Sequence, residues 1–191
     1  MSTPELAAAR ETLLAQLREH ALVIGDVTLS SGQQASYYVD ARRAIMRPEG
    51  FRAAGSLIAA AASEAGAEAV GGPVMAAIPL ACAAIAVPEG DGLVGFFVRK
   101  ERKEHGLQRW VEGPVEAGAS CLVVEDTVTT GGSTVAAIER IREEGLEIKG
   151  AVCVVDRLAG GGDAIAEAAG APFQALVTID EIHPDRPDRA G

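Results

Sequence analysis

The sequence predicts a single α/β domain with a mostly parallel central sheet flanked by helices. Several short segments are apolar at every position, which is typical of strands that are covered on both faces. These segments alternate with helical segments that end at or near glycines. The chain has 191 residues, of which 48% are hydrophobic, and this is enough for one compact core.

The first third of the chain has a different order of elements. A helix is expected over residues 4–20, with Pro4 in its first turn. Residues 27–29 and 37–39 favour strands, and the polar run between them indicates an antiparallel pair. A long alanine-rich helix is expected over Pro48–Ala65, ended by Gly66.

The rest of the chain alternates between strands and helices. The uncharged stretch 69–88 contains Gly71, Gly72, Pro73 and Pro79, which favour a buried strand and helix over a membrane span. Strands are expected at residues 67–70, 93–98, 121–124, 151–155 and 175–179, and helices at residues 78–87, 133–144 and 163–169. Residues 1–182 are expected to form the domain, and the proline-containing residues 183–191 a flexible tail.

The net charge of the chain limits the classes of partner that it is expected to bind. A net charge of −10 argues against nucleic acid and anionic membranes, so an anionic substrate would need a local group of positive charges. Cys82, Cys121 and Cys153 lie in apolar runs without metal-ligand spacing, which predicts buried free thiols in a reducing compartment. The N-terminus lacks the pattern of a signal peptide, and a cytoplasmic protein is expected.

The clearest functional signal is the run at residues 125–134, which reads EDTVTTGGST. It follows a predicted strand and precedes a predicted helix, a place where open α/β sheets bind ligands. Glycines, hydroxyls and a helix N-terminus suit a phosphate, and the two carboxylates suit a pair of sugar hydroxyls. One ligand with both parts is a ribose 5-phosphate. An ordinary strand–turn–helix also fits these residue types, whereas a P-loop and the dinucleotide fingerprint do not.

This run resembles the phosphoribosyl pyrophosphate (PRPP) signature of type I phosphoribosyltransferases. The resemblance implies that Glu125 and Asp126 hold the ribose 2- and 3-hydroxyls, and that the residues from Thr130 onward surround the 5-phosphate. The implied PRPP-binding residues of this run are Glu125, Asp126, Thr127, Val128, Thr129, Thr130, Gly131, Gly132 and Ser133.

A basic segment supplies the local positive charge. Five of the 17 Lys and Arg residues fall between Arg99 and Arg109. A loop of this composition can close over a pyrophosphate and neutralise it, although a solvated charge run has the same composition.

The pattern RKxxKxHG at residues 99–106 resembles the catalytic loop of orotate phosphoribosyltransferases. That resemblance implies that Arg99, Lys100, Lys103 and His105 contact the pyrophosphate, with Lys103 and His105 as catalytic residues. It also implies a homodimer in which each loop reaches the partner subunit's site.

Residues 27–32 and 37–40 resemble the segment with which this family covers the base, so residues 1–45 are expected to form a small hood. The resemblance places orotate against Tyr37, Tyr38, Thr129 and Arg157, where the arginine binds the orotate carboxylate. Two lysines common in the family are replaced here by Ser30 and Ala76. Backbone N–H groups near residues 74–77 are a possible substitute at the pyrophosphate.

The expected reaction joins orotate to PRPP and releases pyrophosphate and orotidine 5'-phosphate. Mg²⁺ is the expected cofactor, held mainly by substrate oxygens with no direct protein ligand. Three alternatives stay open at this stage: a phosphoribosyltransferase for another base, an inactive homologue, and a regulatory protein that uses the same fold to bind nucleic acid.

Overall fold

The computed structural model describes the backbone of residues 3–28, 34–102 and 109–189, and the side chains of these residues apart from 26–28 and 34–35. These residues form a central sheet of six described strands in the order β5-β4-β3-β6-β7-β8, in which β5 runs antiparallel to β4 and the other neighbours are parallel. The strands are β3 (Ala69–Pro73), β4 (Val94–Val98), β5 (Val111–Glu112), β6 (Ser120–Val128), β7 (Glu147–Asp156) and β8 (Phe173–Thr178). The predicted mostly parallel sheet is confirmed.

Helices cover both faces of this sheet. One face packs against α1 (Pro4–Gln16), α3 (Pro48–Ala65) and α4 (Ala77–Ile85), and the other against α5 (Gly132–Glu143) and α6 (Gly161–Ala169). Successive residues of a strand point to opposite faces. In β6, therefore, Leu122 and Val124 join the first core and Cys121 and Val123 join the second.

The N-terminal hood is a separate two-stranded sheet. The helix α1 continues into a π-type turn, Leu17–Ala21, and leads to β1 (Leu22–Thr28). This strand pairs antiparallel with β2 (Gln34–Val39), as the sequence predicts, and α2 (Arg42–Ile45) follows. The division into residues 1–182 and a flexible tail stays a prediction.

Two strands are longer than their apolar runs suggested. Gly71 and Gly72 belong to β3. Glycine is required at both positions because a Cβ would lie 2.2 Å from a carbonyl oxygen of a neighbouring strand. These glycines therefore permit close strand packing instead of ending the strand. Likewise β6 continues through the two carboxylates to Val128, since Glu125 and Thr127 pair with residues of β7.

Other features differ from the sequence-based expectations. The sequence patterns do not indicate the two-residue strand β5, a 3-10 turn at Pro88–Gly90 or the short helix α7 (Ile179–Ile182). Cys121 and Cys153 are buried free thiols, as predicted, but Cys82 is exposed because it lies on the outer side of α4. Within the described residues, no helix has both the length and the apolar character needed to cross a membrane.

Candidate active site

The loop between β6 and α5 presents a helix N-terminus beyond the sheet. Gly131 has a φ of 78°, which favours glycine, and among the residues that the structure describes no side chain caps the first turn of α5. A Cβ on Gly132 would meet no atom within 4 Å, so the space in front of this turn is open. The free N–H groups and the helix dipole at this point suit a phosphate group. We call residues 125–134 the sugar-phosphate end, after the ligand that the sequence predicts for them.

Glu125 and Asp126 point to opposite sides of the strand that carries them. Glu125 is buried, and its Oε2 accepts hydrogen bonds of 3.1 Å from the hydroxyls of Ser133 and of Thr134. Asp126 faces the hood, where its Oδ2 lies 3.8 Å from Nε of Arg42. The hydroxyls of Ser133 and Thr134 thus donate to the carboxylate of Glu125.

Burial changes the proton affinity of both carboxylates. Desolvation, and then the neighbouring charge of Asp126, raises the pKa of Glu125 to about 7. Desolvation also raises the pKa of Asp126, although the backbone N–H of Thr127 and the charge of Arg42 oppose it. The two carboxylates therefore ionise less readily than exposed ones, and sugar hydroxyls or a cation bound here would stabilise their charged forms.

A second loop, between β3 and α4, borders this region. It contains Ala76, one of the two positions where the family often has lysine. The N–H of Val74 already donates to the carbonyl of Val98, and no side chain in the described ranges caps the start of α4. Backbone groups of residues 75–77 are thus better placed than Val74 to replace the missing cation.

The basic segment is attached at both ends to α5. Arg99 forms an ion pair of 3.4 Å with Glu112, and its carbonyl accepts a hydrogen bond of 2.9 Å from Arg140. Trp110 directly follows the basic segment, and the guanidinium carbon of Arg140 lies 4.4 Å from the centroid of its ring. Lys100 is exposed. The helix that begins at the phosphate loop therefore holds both borders of the basic segment.

The base end is formed by the hood and by the loop after β7, and we use this name for Tyr37, Tyr38 and Arg157. The backbone N–H of Arg157 donates to the carbonyl of Val128, which places this loop beside the end of β6. Nη2 of Arg157 lies 3.4 Å from the Tyr37 hydroxyl, and its guanidinium carbon lies 5.5 Å from the ring centroid. Tyr37 is buried and Tyr38 partly exposed.

The structure places some of the predicted site residues next to one another and does not describe others. Residues 125–133 form one continuous strand and loop, with Thr129 and Thr130 exposed. Lys103 and His105 lie outside the described residues. Arg42 was missed by the sequence reasoning, because an arginine two residues after Asp40 is unremarkable until the fold brings it to Asp126.

Comparison with known proteins agrees with this geometry. Residues 52–169 match the family model described as the phosphoribosyl transferase domain. The chain is 43% identical over 176 residues to an orotate phosphoribosyltransferase of Corynebacterium glutamicum, with 92% of this chain and 95% of the relative covered. A Streptomyces avermitilis enzyme of the same name is 44% identical over 91% of this chain and 96% of its own length. The chain belongs to the orotate phosphoribosyltransferase family.

Solved structures of orotate phosphoribosyltransferases have the same fold. A Mycobacterium tuberculosis enzyme in complex with Fe(III) dicitrate gives a TM-score of 0.83 at 38% identity, covering 91% of this chain and 98% of that one. The same organism's enzyme in complex with PRPP gives a TM-score of 0.78 at 33% identity, with the same coverage. An adenine phosphoribosyltransferase of Rhodothermus marinus, at 19% identity and a TM-score of 0.65, shares the fold alone.

Proposed function

We infer that the chain transfers the 5-phosphoribosyl group from PRPP to orotate, giving orotidine 5'-phosphate and pyrophosphate for pyrimidine synthesis. The observation that carries this inference is the open N-terminus of α5 directly beside Glu125 and Asp126. It occurs in a chain that shares more than 40% identity over most of its length with named orotate phosphoribosyltransferases.

The sugar-phosphate end is proposed to bind the ribose 5-phosphate of PRPP. The first-turn N–H groups of α5 donate to the phosphate, and Thr129 and Thr130 add hydroxyl donors. Asp126, at the surface of the site, accepts from the sugar hydroxyls. Glu125 accepts from Ser133 and Thr134 through Oε2 and from the backbone N–H of Asp126 through Oε1, and its remaining lone pair can accept from a sugar hydroxyl.

The pyrophosphate is proposed to lie between the basic segment and the β3–α4 loop. Arg99, Lys100, Lys103 and His105 supply positive charge, and backbone N–H groups at the start of α4 supply hydrogen bonds. Lys103 and His105 act as catalytic residues that stabilise or protonate the leaving pyrophosphate. Catalysis then depends mainly on positioning and on electrostatic stabilisation of the departing charge.

The donor groups at this site fit Mg²⁺ that is held mainly by the substrate. Glu125 and Asp126 offer carboxylate oxygens, the ligand type that Mg²⁺ prefers, and the metal usually keeps several non-protein oxygen ligands. When bound, Mg²⁺ supplies charge neutralisation for the pyrophosphate. Among the described residues, no group of three or more His, Cys, Asp or Glu side chains is arranged to hold a metal ion.

At the base end, Arg157 is proposed to bind the orotate carboxylate, with Thr129, Tyr37 and Tyr38 forming the surrounding wall. A guanidinium group can donate two parallel hydrogen bonds to a carboxylate. The orotate ring nitrogen then forms a bond to the anomeric carbon as the bond from that carbon to the pyrophosphate oxygen breaks, and the sugar carries positive charge in the transition state. The proton of the ring nitrogen is released to solvent, and pyrophosphate leaves with the bonding electrons.

We further propose that the enzyme is a cytoplasmic homodimer with shared active sites. Met75, Ile78 and Ile85 are exposed apolar side chains on α4 and the loop before it, which suits contact with a second subunit. The buried thiols suit a reducing compartment, since burial raises the pKa of Cys121 to about 12 and keeps it protonated. The mass in solution, measured by light scattering, tests the dimer.

Orotate consumption, followed by ultraviolet absorbance, tests the proposed function. Absorbance should fall only when PRPP and Mg²⁺ are both present. A panel of other bases under the same conditions separates orotate from uracil and purines. A folded protein that consumes another base but not orotate contradicts the choice of substrate, and one that consumes none contradicts the activity.

A further inference from the structure

The C-terminal segment, residues 183–189, lies against the base end. The ring of His183 meets that of Tyr37 edge-on, with 5.2 Å between centroids. The Tyr37 hydroxyl donates to the carboxylate of Asp188, with 3.0 Å to each oxygen. These contacts connect the C-terminal segment, which contains no recognisable motif, with Tyr37, which is predicted to contact the base.

Asp188 determines which way the Tyr37 hydroxyl faces. A tyrosine hydroxyl has one hydrogen to donate and accepts through its oxygen, whereas a guanidinium group can only donate. Because Asp188 takes the hydrogen, the oxygen lone pairs of Tyr37 are left for guanidinium donors: Nη2 of Arg157 lies 3.4 Å away, and Arg186 also forms a hydrogen bond with this hydroxyl. The hydrogen bonds therefore run in one direction from Arg157 through Tyr37 to Asp188.

Arg186 attaches this arrangement to the sheet. Its side chain is only 8% exposed, and it reaches Oδ1 of Asp180 at 2.8 Å and Oδ1 of Asp188 at 3.1 Å. Burial alone would lower the pKa of Arg186, but hydrogen bonds to Asp180 and Asp188 raise it, so the buried guanidinium stays charged. Asp180 belongs to α7, which directly follows the edge strand β8.

We propose that Asp188, held by Arg186, is a positioning residue that orients Arg157 toward the orotate carboxylate through Tyr37. This inference rests on the proposed function, in which Arg157 binds that carboxylate. Uracil lacks the carboxylate, so the C-terminal segment contributes to the preference for orotate over uracil without touching either base.

The test compares Asp188→Ala with Asp185→Ala. Both variants remove one carboxylate from an exposed position of the same segment, and Asp185 serves as the control. Asp188→Ala should raise the KM for orotate about 5- to 10-fold, the size expected for one hydrogen bond that acts indirectly, and leave the KM for PRPP within about 2-fold. The orotate-over-uracil preference in kcat/KM should fall by a similar factor, and Asp185→Ala should change neither quantity.

A double-variant cycle shows whether the effect passes through the tyrosine. Tyr37→Phe should raise the KM for orotate by a similar factor, and adding Asp188→Ala to it should have little further effect, because both changes break the same chain of hydrogen bonds. Asp188→Glu should restore part of the preference for orotate.

Each contrary result has its own meaning. If the wild type does not use orotate, the proposed function and this inference both fail. If the wild type uses orotate and Arg157→Ala raises its KM while Asp188→Ala behaves like Asp185→Ala, only the positioning role is overturned. Equal increases in the two KM values, or a lower KM for orotate, also overturn it, since they indicate general loosening or a segment that obstructs the base.

Discussion

The two ends of the candidate site are built from the chain in opposite ways. At the sugar-phosphate end, Glu125 accepts hydrogen bonds from hydroxyls only eight and nine residues further along. At the base end, the Tyr37 hydroxyl meets partners that are 120 and 151 residues away. The first end is therefore a local strand–loop–helix unit, whereas the second exists only when the hood, the loop after β7 and the C-terminal segment are assembled.

The difference leads to distinct expectations for substitutions. A change at the sugar-phosphate end should affect PRPP whichever base is offered. A change at the base end should affect orotate and leave PRPP binding nearly unchanged.

Gly131→Ala is expected to have the largest effect. The new Cβ would lie 2.8 Å from the carbonyl oxygen of Gly161, in a backbone conformation that alanine rarely adopts. We expect a loss of about 1–3 kcal/mol in the free energy of unfolding, and about a 100-fold loss in kcat/KM for PRPP as the phosphate donors shift. Chemical denaturation and steady-state kinetics measure both quantities.

The neighbouring glycine provides the control for this loss of stability. A Cβ on Gly132 would meet no atom within 4 Å, so Gly132→Ala should keep the wild-type free energy of unfolding. Equal destabilisation by the two variants would contradict the local account of this loop.

Arg157→Ala tests the base end separately from the sugar-phosphate end. Loss of a charged partner for the orotate carboxylate should raise the KM for orotate about 10- to 100-fold, while the KM for PRPP changes less than about 2-fold. Lys149 lies near the start of β7, at the opposite end of this strand from Arg157. As a control, Lys149→Ala removes a positive charge there and should change neither KM value. Parallel changes in both KM values for Arg157→Ala would show that the two ends are not separate.

The pKa of Glu125 makes the stability of the sugar-phosphate end depend on pH. Its folded pKa of about 7 lies above its ordinary value of 4.5, so the folded protein holds a proton that the unfolded chain releases between these values. The free energy of unfolding should therefore fall as pH rises from 4.5 to 7, by up to about 3 kcal/mol. In Glu125→Gln this part of the pH dependence should disappear, as denaturation at pH 5 and pH 8 would show.

Arg42→Gln should have the smallest effect. The arginine is half exposed and lies 3.8 Å from Asp126, and exposed ion pairs contribute about 1 kcal/mol or less. The KM for PRPP should change less than about 5-fold, and the KM for orotate less than about 2-fold. A larger change in the KM for orotate would assign Arg42 to the base end instead.

The same contrast explains what could be predicted from the sequence. The alternation of apolar segments and helices predicted the sheet, and residues 125–134 predicted the phosphate loop, because each depends on neighbours along the chain. The contact between Tyr37 and Asp188 depends on tertiary structure, and no local pattern marks Asp188. Gly71 and Gly72 follow the same rule, since only the neighbouring strands show why glycine is required at these positions of β3.

The decisive measurement is a crystal structure of the chain with PRPP. We expect the 5-phosphate at the N-terminus of α5, with phosphate oxygens about 3 Å from the backbone nitrogens of residues 132–133 and the sugar hydroxyls turned toward Asp126. A 5-phosphate bound elsewhere, with this helix N-terminus left to solvent, would contradict it.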